Sequence, residues 1–230
     1  MRAKEIYNGL IDRWRGQCED SDWIQSLKQD YEISDHEWTP DRFFLITVSW
    51  GPWNVGRQLQ VWKNFMNSYE DVIEDIRNAR KDFKGFPLNW QNDRVKSLAK
   101  NLSEERTDFM TLIDRLKPLS GIEARDHLSE LCNVKQNKKI ISCFVRDFLL
   151  KETFPIDTRV NEMLGCFGLP SDEDQVVRLC EKDGVSSRVL NRMLYTQWDA
   201  CPDKSPGPND ECGNCRANQY CWEYLLRNER

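Results

Sequence analysis

The chain has 230 residues, enough for one large domain or two small lobes around a substantial hydrophobic core. Charged residues make up 31% of it, no apolar run approaches the roughly 20 residues that span a bilayer, and the opening MRAKEIYNGLIDRWRG lacks a signal-type apolar stretch, so a cytoplasmic protein without membrane contact is expected. Lys plus Arg number 33 against 38 Asp plus Glu, and the net charge of −5 does not advertise nucleic-acid binding, although such binding needs a basic face rather than a basic total.

Helical signals dominate along the chain. Thr39-Pro40-Asp41 opens a helix holding Phe43 to Val48, with proline tolerated at its first position. Residues 55–68 place Leu59, Trp62, Phe65 and Met66 at spacings of three and four. Residues 105–116 repeat that spacing through Phe109, Leu112, Ile113 and Leu116, and Pro118 closes the segment. Further helices are predicted over 125–131, 139–149, 158–167, 172–182 and 186–197, with Ser171 and Asp174 forming a capping and acidic first turn for one of them. Breaks fall near 50–54, 85–92, 118–121, 153–155 and 201–214. Few stretches alternate as strands do, and there is no repeat or low-complexity tract. An all-α array with short connections is expected.

Two histidines, His36 and His127, leave little for a His-rich zinc site or a Ser-His-Asp triad. Nine cysteines in a reducing compartment are not expected to form a disulfide framework. Chemistry therefore falls to carboxylates, lysines and cysteines. Residues 201–221 read CPDKSPGPNDECGNCRANQYC, which spaces Cys201, Cys212, Cys215 and Cys221 as C-x10-C-x2-C-x5-C. Four thiolates suit a tetrahedral zinc or a cubane iron–sulfur cluster. Zinc ribbons usually carry two short C-x2-C knuckles, and this loop has one. Cys18, Cys132, Cys143, Cys166 and Cys180 are scattered or at helical spacing and read as buried apolar residues.

The C-x2-C-x5-C tail after a distant first cysteine resembles the iron–sulfur loop of the endonuclease III and adenine glycosylase group, where the first gap is usually six residues. Cys212-Gly213-x-Cys215 and Tyr220-Cys221-x-x-Tyr224 add to the likeness. Upstream, FPIDTRVNEMLGCFGLP at residues 154–170 resembles the signature of the helix-hairpin-helix DNA glycosylases, a Pro-Val-Asp-Thr-like turn that enters a helix and closes at Gly-Leu. The resemblance implies a [4Fe–4S] cluster on Cys201, Cys212, Cys215 and Cys221, and a catalytic carboxylate at Asp157. Cleaving an N-glycosidic bond builds positive charge on the sugar, and a fixed carboxylate stabilises that charge or activates the nucleophile. Asp157 also reads as the cap of the following helix, and both roles can hold at once.

The DNA-gripping hairpin of this superfamily implies a counterpart about twenty residues before the aspartate. There Asn133-Val134-Lys135 stands where the usual Leu-Pro-Gly-Val-Gly has its two glycines. Asn takes positive φ more readily than Lys. Asn133 and Lys135 are the expected DNA contacts, with Lys138 and Lys139 as further phosphate partners; a solvated charge run is the other reading. In lyase members a lysine at the start of the second hairpin helix attacks the sugar. Its usual spacing to the aspartate falls on Lys139 or Lys138, whereas an ungapped alignment from Leu131 falls on Asn137 and implies a monofunctional enzyme.

The N-terminal half resembles the family more loosely. Ser49 keeps the serine of a Ser-x-Gln loop, but Gly51 replaces the Gln and Asn54 an expected Asp. Trp50, Trp53 and Asn54 are the expected lining of a base pocket, with a core role as the rival reading for the tryptophans. Leu88, Asn89 and Trp90 are the expected wedge into the duplex.

The resemblance implies two lobes, a six-helix barrel over 41–150 and a cluster-bearing lobe from 1–40 plus 151–230. It implies a monomeric base-excision-repair glycosylase acting on double-stranded DNA with a damaged or mismatched base, with abasic-site lyase activity if a lysine acts. A non-catalytic iron–sulfur DNA-binding protein and a zinc-stabilised helical module are the alternatives.

Overall fold

The computed structural model describes residues 3–51, 55–68 and 85–201. These hold eleven α-helices and no strand: α1 (Ala3–Cys18), α2 (Asp20–Asp30), α3 (Pro40–Ser49), α4 (Val55–Ser68), α5 (Asn89–Glu104), α6 (Phe109–Leu116), α7 (Gly121–Leu131), α8 (Lys139–Asp147), α9 (Thr158–Cys166), α10 (Glu173–Asp183) and α11 (Ser187–Ala200). The protein is all-α, and among the described residues no helix is long and apolar enough to cross a membrane.

The chain divides into two units, residues 24–149 and residues 1–23 with 150–230. The first switch lies inside α2 and not at residue 40, because Tyr31 and Ile33 are buried in the same core as Phe43 and Phe44.

Within residues 24–149, α3 is apolar almost all round and is correspondingly buried from Phe43 to Ser49. It packs on α4, α5, α6 and α8. The two hydroxyls this buries turn back on the helix: Thr47 donates to the Phe44 carbonyl at 2.7 Å and Ser49 to that of Ile46 at 2.6 Å. Phe43, Phe44, Phe109, Phe144 and Phe148 meet stacked, tilted or edge to face at centroid distances of 5.5–6.2 Å, which fixes α6 and α8 on α3.

In the other unit α11 is central, packed on α1, α9 and α10. It buries Leu190, Met193 and Leu194, but also Asn191, Arg192 and Gln197. Arg192 has no exposed surface, and its guanidinium donates to the Cys18 carbonyl at 3.1 Å and to Asp20 at 2.8 Å. A buried guanidinium persists only with such acceptors around it.

Five helices start on side-chain caps. Asp108, Asp157, Asp172 and Ser186 each accept from the backbone N–H three residues on, at 2.7–3.3 Å. Ser120 and Glu123 form a reciprocal capping box, so α7 begins at Gly121, four residues before the expected start. The cap of α10 is Asp172 and not Ser171.

Helix ends follow a second rule. α2, α5, α7, α9 and α10 each close with a left-handed residue whose N–H, and that of the next residue, bond back to carbonyls three and five residues behind; the left-handed residues are Glu32, Arg106, Asn133, Gly168 and Gly184. Three of these five are not glycine. This ends α5 at Glu104 and moves the start of α6 from the expected 105 to Phe109.

Candidate functional site

Asp157 caps α9 and is half-buried, its carboxylate accepting from the Val160 N–H at 2.8 Å. The run before it is pinned along its length. The Thr153 carbonyl accepts from Ser187 at 3.4 Å, the Phe154 N–H donates to Glu173 at 2.8 Å, and the Pro155 carbonyl accepts from the fully buried Asn191 amide at 3.0 Å. Beyond Asp157, Arg159 stacks over Tyr195 and Trp198 at 5.1 and 4.6 Å, and the Trp198 indole N–H donates to Glu162. The far end of the signature is the left-handed close at Gly168, with Leu169 N–H on the Leu164 carbonyl at 2.9 Å. The whole Pro155-to-Leu169 signature is thus a helix with both ends fixed and an acid at its mouth.

α7 and α8 form a helical hairpin in the other unit. Asn133 takes the left-handed conformation, φ 53°. Lys135 does not, and the second positive φ of the connection falls on Asn137, at 52°. Val134 is buried between them, while Asn133, Lys135 and Asn137 are exposed. Lys138 precedes α8 and donates to Asp126 at 2.7 Å, and Arg125 holds the same carboxylate at 2.6 Å. Partial burial works against the Asp126 charge, but the Lys138 and Arg125 hydrogen bonds outweigh it and hold its carboxyl below the ordinary value. Lys139 is the first residue of α8 and half-buried.

The expected wedge residues sit at the start of α5. Leu88 and Trp90 are half-buried and Asn89 is exposed. Gln91 and Asn92, which the sequence reading passed over, set this turn: the buried Gln91 accepts from Leu88 N–H at 3.2 Å and donates to the Val48 carbonyl at 2.8 Å, while Asn92 bonds both the N–H and the carbonyl of Phe86 at 2.9 and 2.8 Å. Their signal was present, since both fall on the apolar phase of α5 with Val95, Leu98 and Leu102. Arg94 lies over the Trp90 ring at 4.4 Å, and burial lowers its pKa.

Of the expected base-pocket residues, Trp53 and Asn54 lie outside the described residues. Trp50 is half-buried, edge-on to Phe43, with its indole N–H donating to the Tyr31 hydroxyl, so part of it serves the core.

Cys201 follows α11 and is half-exposed; Cys212, Cys215 and Cys221 lie outside the described residues. Cys18, Cys132, Cys143 and Cys180 are buried, as expected, whereas Cys166 is half-exposed. Burial pushes the Cys132 and Cys180 thiols up to about 12. Such thiols stay protonated and make poor metal ligands.

Charge is divided unevenly. Residues 24–149 carry 19 basic and 19 acidic side chains, so the net −5 resides wholly in the other unit. No family model, curated protein or solved structure matches the chain.

Proposed function

We propose that the protein is a DNA glycosylase that excises a damaged or mismatched base, with Asp157 as its catalytic carboxylate. The observation that carries this reading is the setting of Asp157: a half-buried acid at the start of α9, on a run fixed through its own backbone to Ser187, Glu173 and Asn191. A carboxylate so held stabilises positive charge on a sugar without reorganising, as charge development in glycosidic cleavage requires. The bond from the sugar carbon to the base nitrogen breaks, its electron pair leaves with the base, and the cation-like sugar carbon, facing the Asp157 carboxylate, is captured by water, or by Lys139 in a lyase reaction, which gives up a proton as the new bond forms.

In this reading the α7–α8 hairpin grips the phosphates through Lys135 and the turn at Asn133. Lys139, the first residue of α8, is the nucleophile for any lyase step, and Lys138, which donates to Asp126, is the alternative. Leu88, Asn89 and Trp90 wedge into the duplex. Cys201 with Cys212, Cys215 and Cys221 would hold the [4Fe–4S] cluster: the four follow one another within residues 201–221 of the sequence, whereas Cys132 and Cys180 are sequestered by burial. Such a cluster would supply a cross-link among these four cysteines and would take no part in the base chemistry.

The test is anaerobic incubation with a panel of lesion- and mismatch-containing duplexes, with and without borohydride. Base release is expected, with a trapped covalent adduct that disappears in Lys139→Ala and persists in Lys138→Ala. Excision that continues undiminished in Asp157→Asn would overturn the assignment. The non-catalytic reading draws on Lys135, which does not adopt the left-handed conformation of the glycine it replaces. Tight lesion binding with no base release from any duplex would establish that reading instead.

A further inference from the structure

The chain passes between its two units twice, once between residues 23 and 24 inside α2 and once between residues 149 and 150. Neither crossing is remarkable in sequence, yet both are held by one side chain. Arg188, in the first turn of α11, donates from Nε and Nη2 to the Asp20 carboxylate at 3.0 and 2.8 Å. Its Nη1 donates to the Leu150 carbonyl and to Glu152, both at 2.8 Å. The planar guanidinium suits this task because it presents donors in several fixed directions at once.

Leu150 shows that the second crossing is held against its own preference. Its backbone is left-handed, φ 53°, a conformation that costs a branched-chain residue and that persists only where surroundings impose it. Its side chain is 39% exposed, so burial of the leucine does not impose it. The Arg188 bond holds its carbonyl in place. Glu152 extends the grip, accepting from the Ser186 and Ser187 hydroxyls at 3.0 and 2.8 Å and from the Arg188 N–H at 3.1 Å at the start of α11. At the first crossing Arg192, one turn further along α11, reinforces it by bonding Cys18 and Asp20 and lying over the Trp23 ring at 5.3 Å.

We infer that Arg188 is a positioning residue that clasps the chain beside both crossings, holding Asp20 and residues 150–152 to the first turn of α11. The same clasp starts the pinned run of residues 150–157, so it also sets where Asp157 stands; this second consequence rests on the glycosylase reading, the first does not.

Amide hydrogen exchange of the intact protein tests the clasp. Arg188→Met keeps the apolar stem and removes every donor. Exchange over 20–26 and over 149–153 is expected to accelerate at least tenfold, while the interiors of α9 (160–164) and α11 (190–194) stay within about twofold of the unaltered protein. Arg188→Lys, with one compact ammonium for three separated acceptors, is expected to fall between. Asp20→Asn is a milder change that leaves the Leu150 and Glu152 bonds, and it is expected to accelerate 20–26 more than 149–153. Acceleration spread evenly over all helices, or none at either crossing in both Arg188→Met and Asp20→Asn, overturns the clasp. On a duplex that the unaltered protein processes, Arg188→Met is expected to lower kcat about tenfold with little change in KM, and Arg188→Lys to recover part of it. Absence of excision by the unaltered protein sinks the glycosylase reading alone, and the exchange comparison still decides the clasp.

Discussion

At the scale of single residues, Asp157 meets two demands with one carboxylate. It caps α9 through the Val160 N–H, and in the proposed reaction it faces a developing cation. The two demands separate chemically. Asparagine caps a helix about as well as aspartate, since either offers a side-chain oxygen to the third residue on, whereas alanine offers none. Asp157→Asn is therefore expected to leave the urea midpoint nearly unchanged, and Asp157→Ala to cost about 1 kcal/mol of stability. Both are expected to abolish base release, because neither carries the charge. A stable, correctly folded Asn variant that still excises would leave Asp157 with the cap alone. This residue was legible in the sequence because its neighbours spell out a helix start and stop. Arg188 was not: with Arg192 four residues on, it looks like a solvated basic face, and only its placement beside Asp20, Leu150 and Glu152 gives it a task. Gln91 and Asn92 carried a signal, their place on the apolar phase of α5, but it acquires a meaning only once their backbone partners are known.

At the scale of elements, the helices were readable and several of their ends were not. Glycine marks a left-handed helix end in sequence, and Gly168 and Gly184 carry that mark. Glu32, Arg106 and Asn133 adopt the same conformation with no such mark. What remains visible is the hydrophobic or half-buried residue that follows, Ile33, Thr107 and Val134, whose burial helps to hold the turn closed. The segment 105–116 looked like one helix because its apolar spacing is sound from Phe109 onward. The left-handed Arg106 and the Asp108 cap instead assign its first four residues to a connection. The strain at Arg106 is measurable. A left-handed residue with a β-carbon costs about 1–2 kcal/mol, and glycine gives back roughly 0.5–1 kcal/mol of that through its unfolded-state freedom. Arg106→Gly is expected to raise the unfolding free energy by about 0.5–1 kcal/mol, as net of these two effects. Asn133→Ala should lower it by about 1 kcal/mol, since asparagine tolerates this conformation and alanine does not. Chemical denaturation of the two variants checks both signs, and a destabilised Arg106→Gly would show that the arginine contributes more than its backbone costs.

At the scale of the whole molecule, the net charge of −5 is unevenly divided along the chain. The hairpin belongs to a unit with equal numbers of acidic and basic side chains, and within it the basic residues at 135, 138 and 139 are close in sequence. They are not equivalent. Lys135 is exposed, whereas Lys138 is tied to Asp126, which Arg125 also holds. Each phosphate contact contributes close to one unit to the slope of log affinity against log salt. On the DNA-binding reading, Lys135→Ala is expected to reduce that slope by about one unit. Lys138→Ala is expected to change it less, because its charge is already opposed within the protein. The sharpest contrast comes from the acid. Asp126→Asn removes the carboxylate that engages Lys138, leaves the lysine in place, and takes one negative charge away from the hairpin. Affinity for duplex DNA is expected to rise, and the salt slope to steepen by up to about one unit. Fluorescence anisotropy with a labelled duplex across a salt series measures both quantities. Weaker binding by Asp126→Asn would mean that the ion pair shapes the hairpin for DNA, and that Lys138 acts through its bond to Asp126 rather than as a phosphate partner.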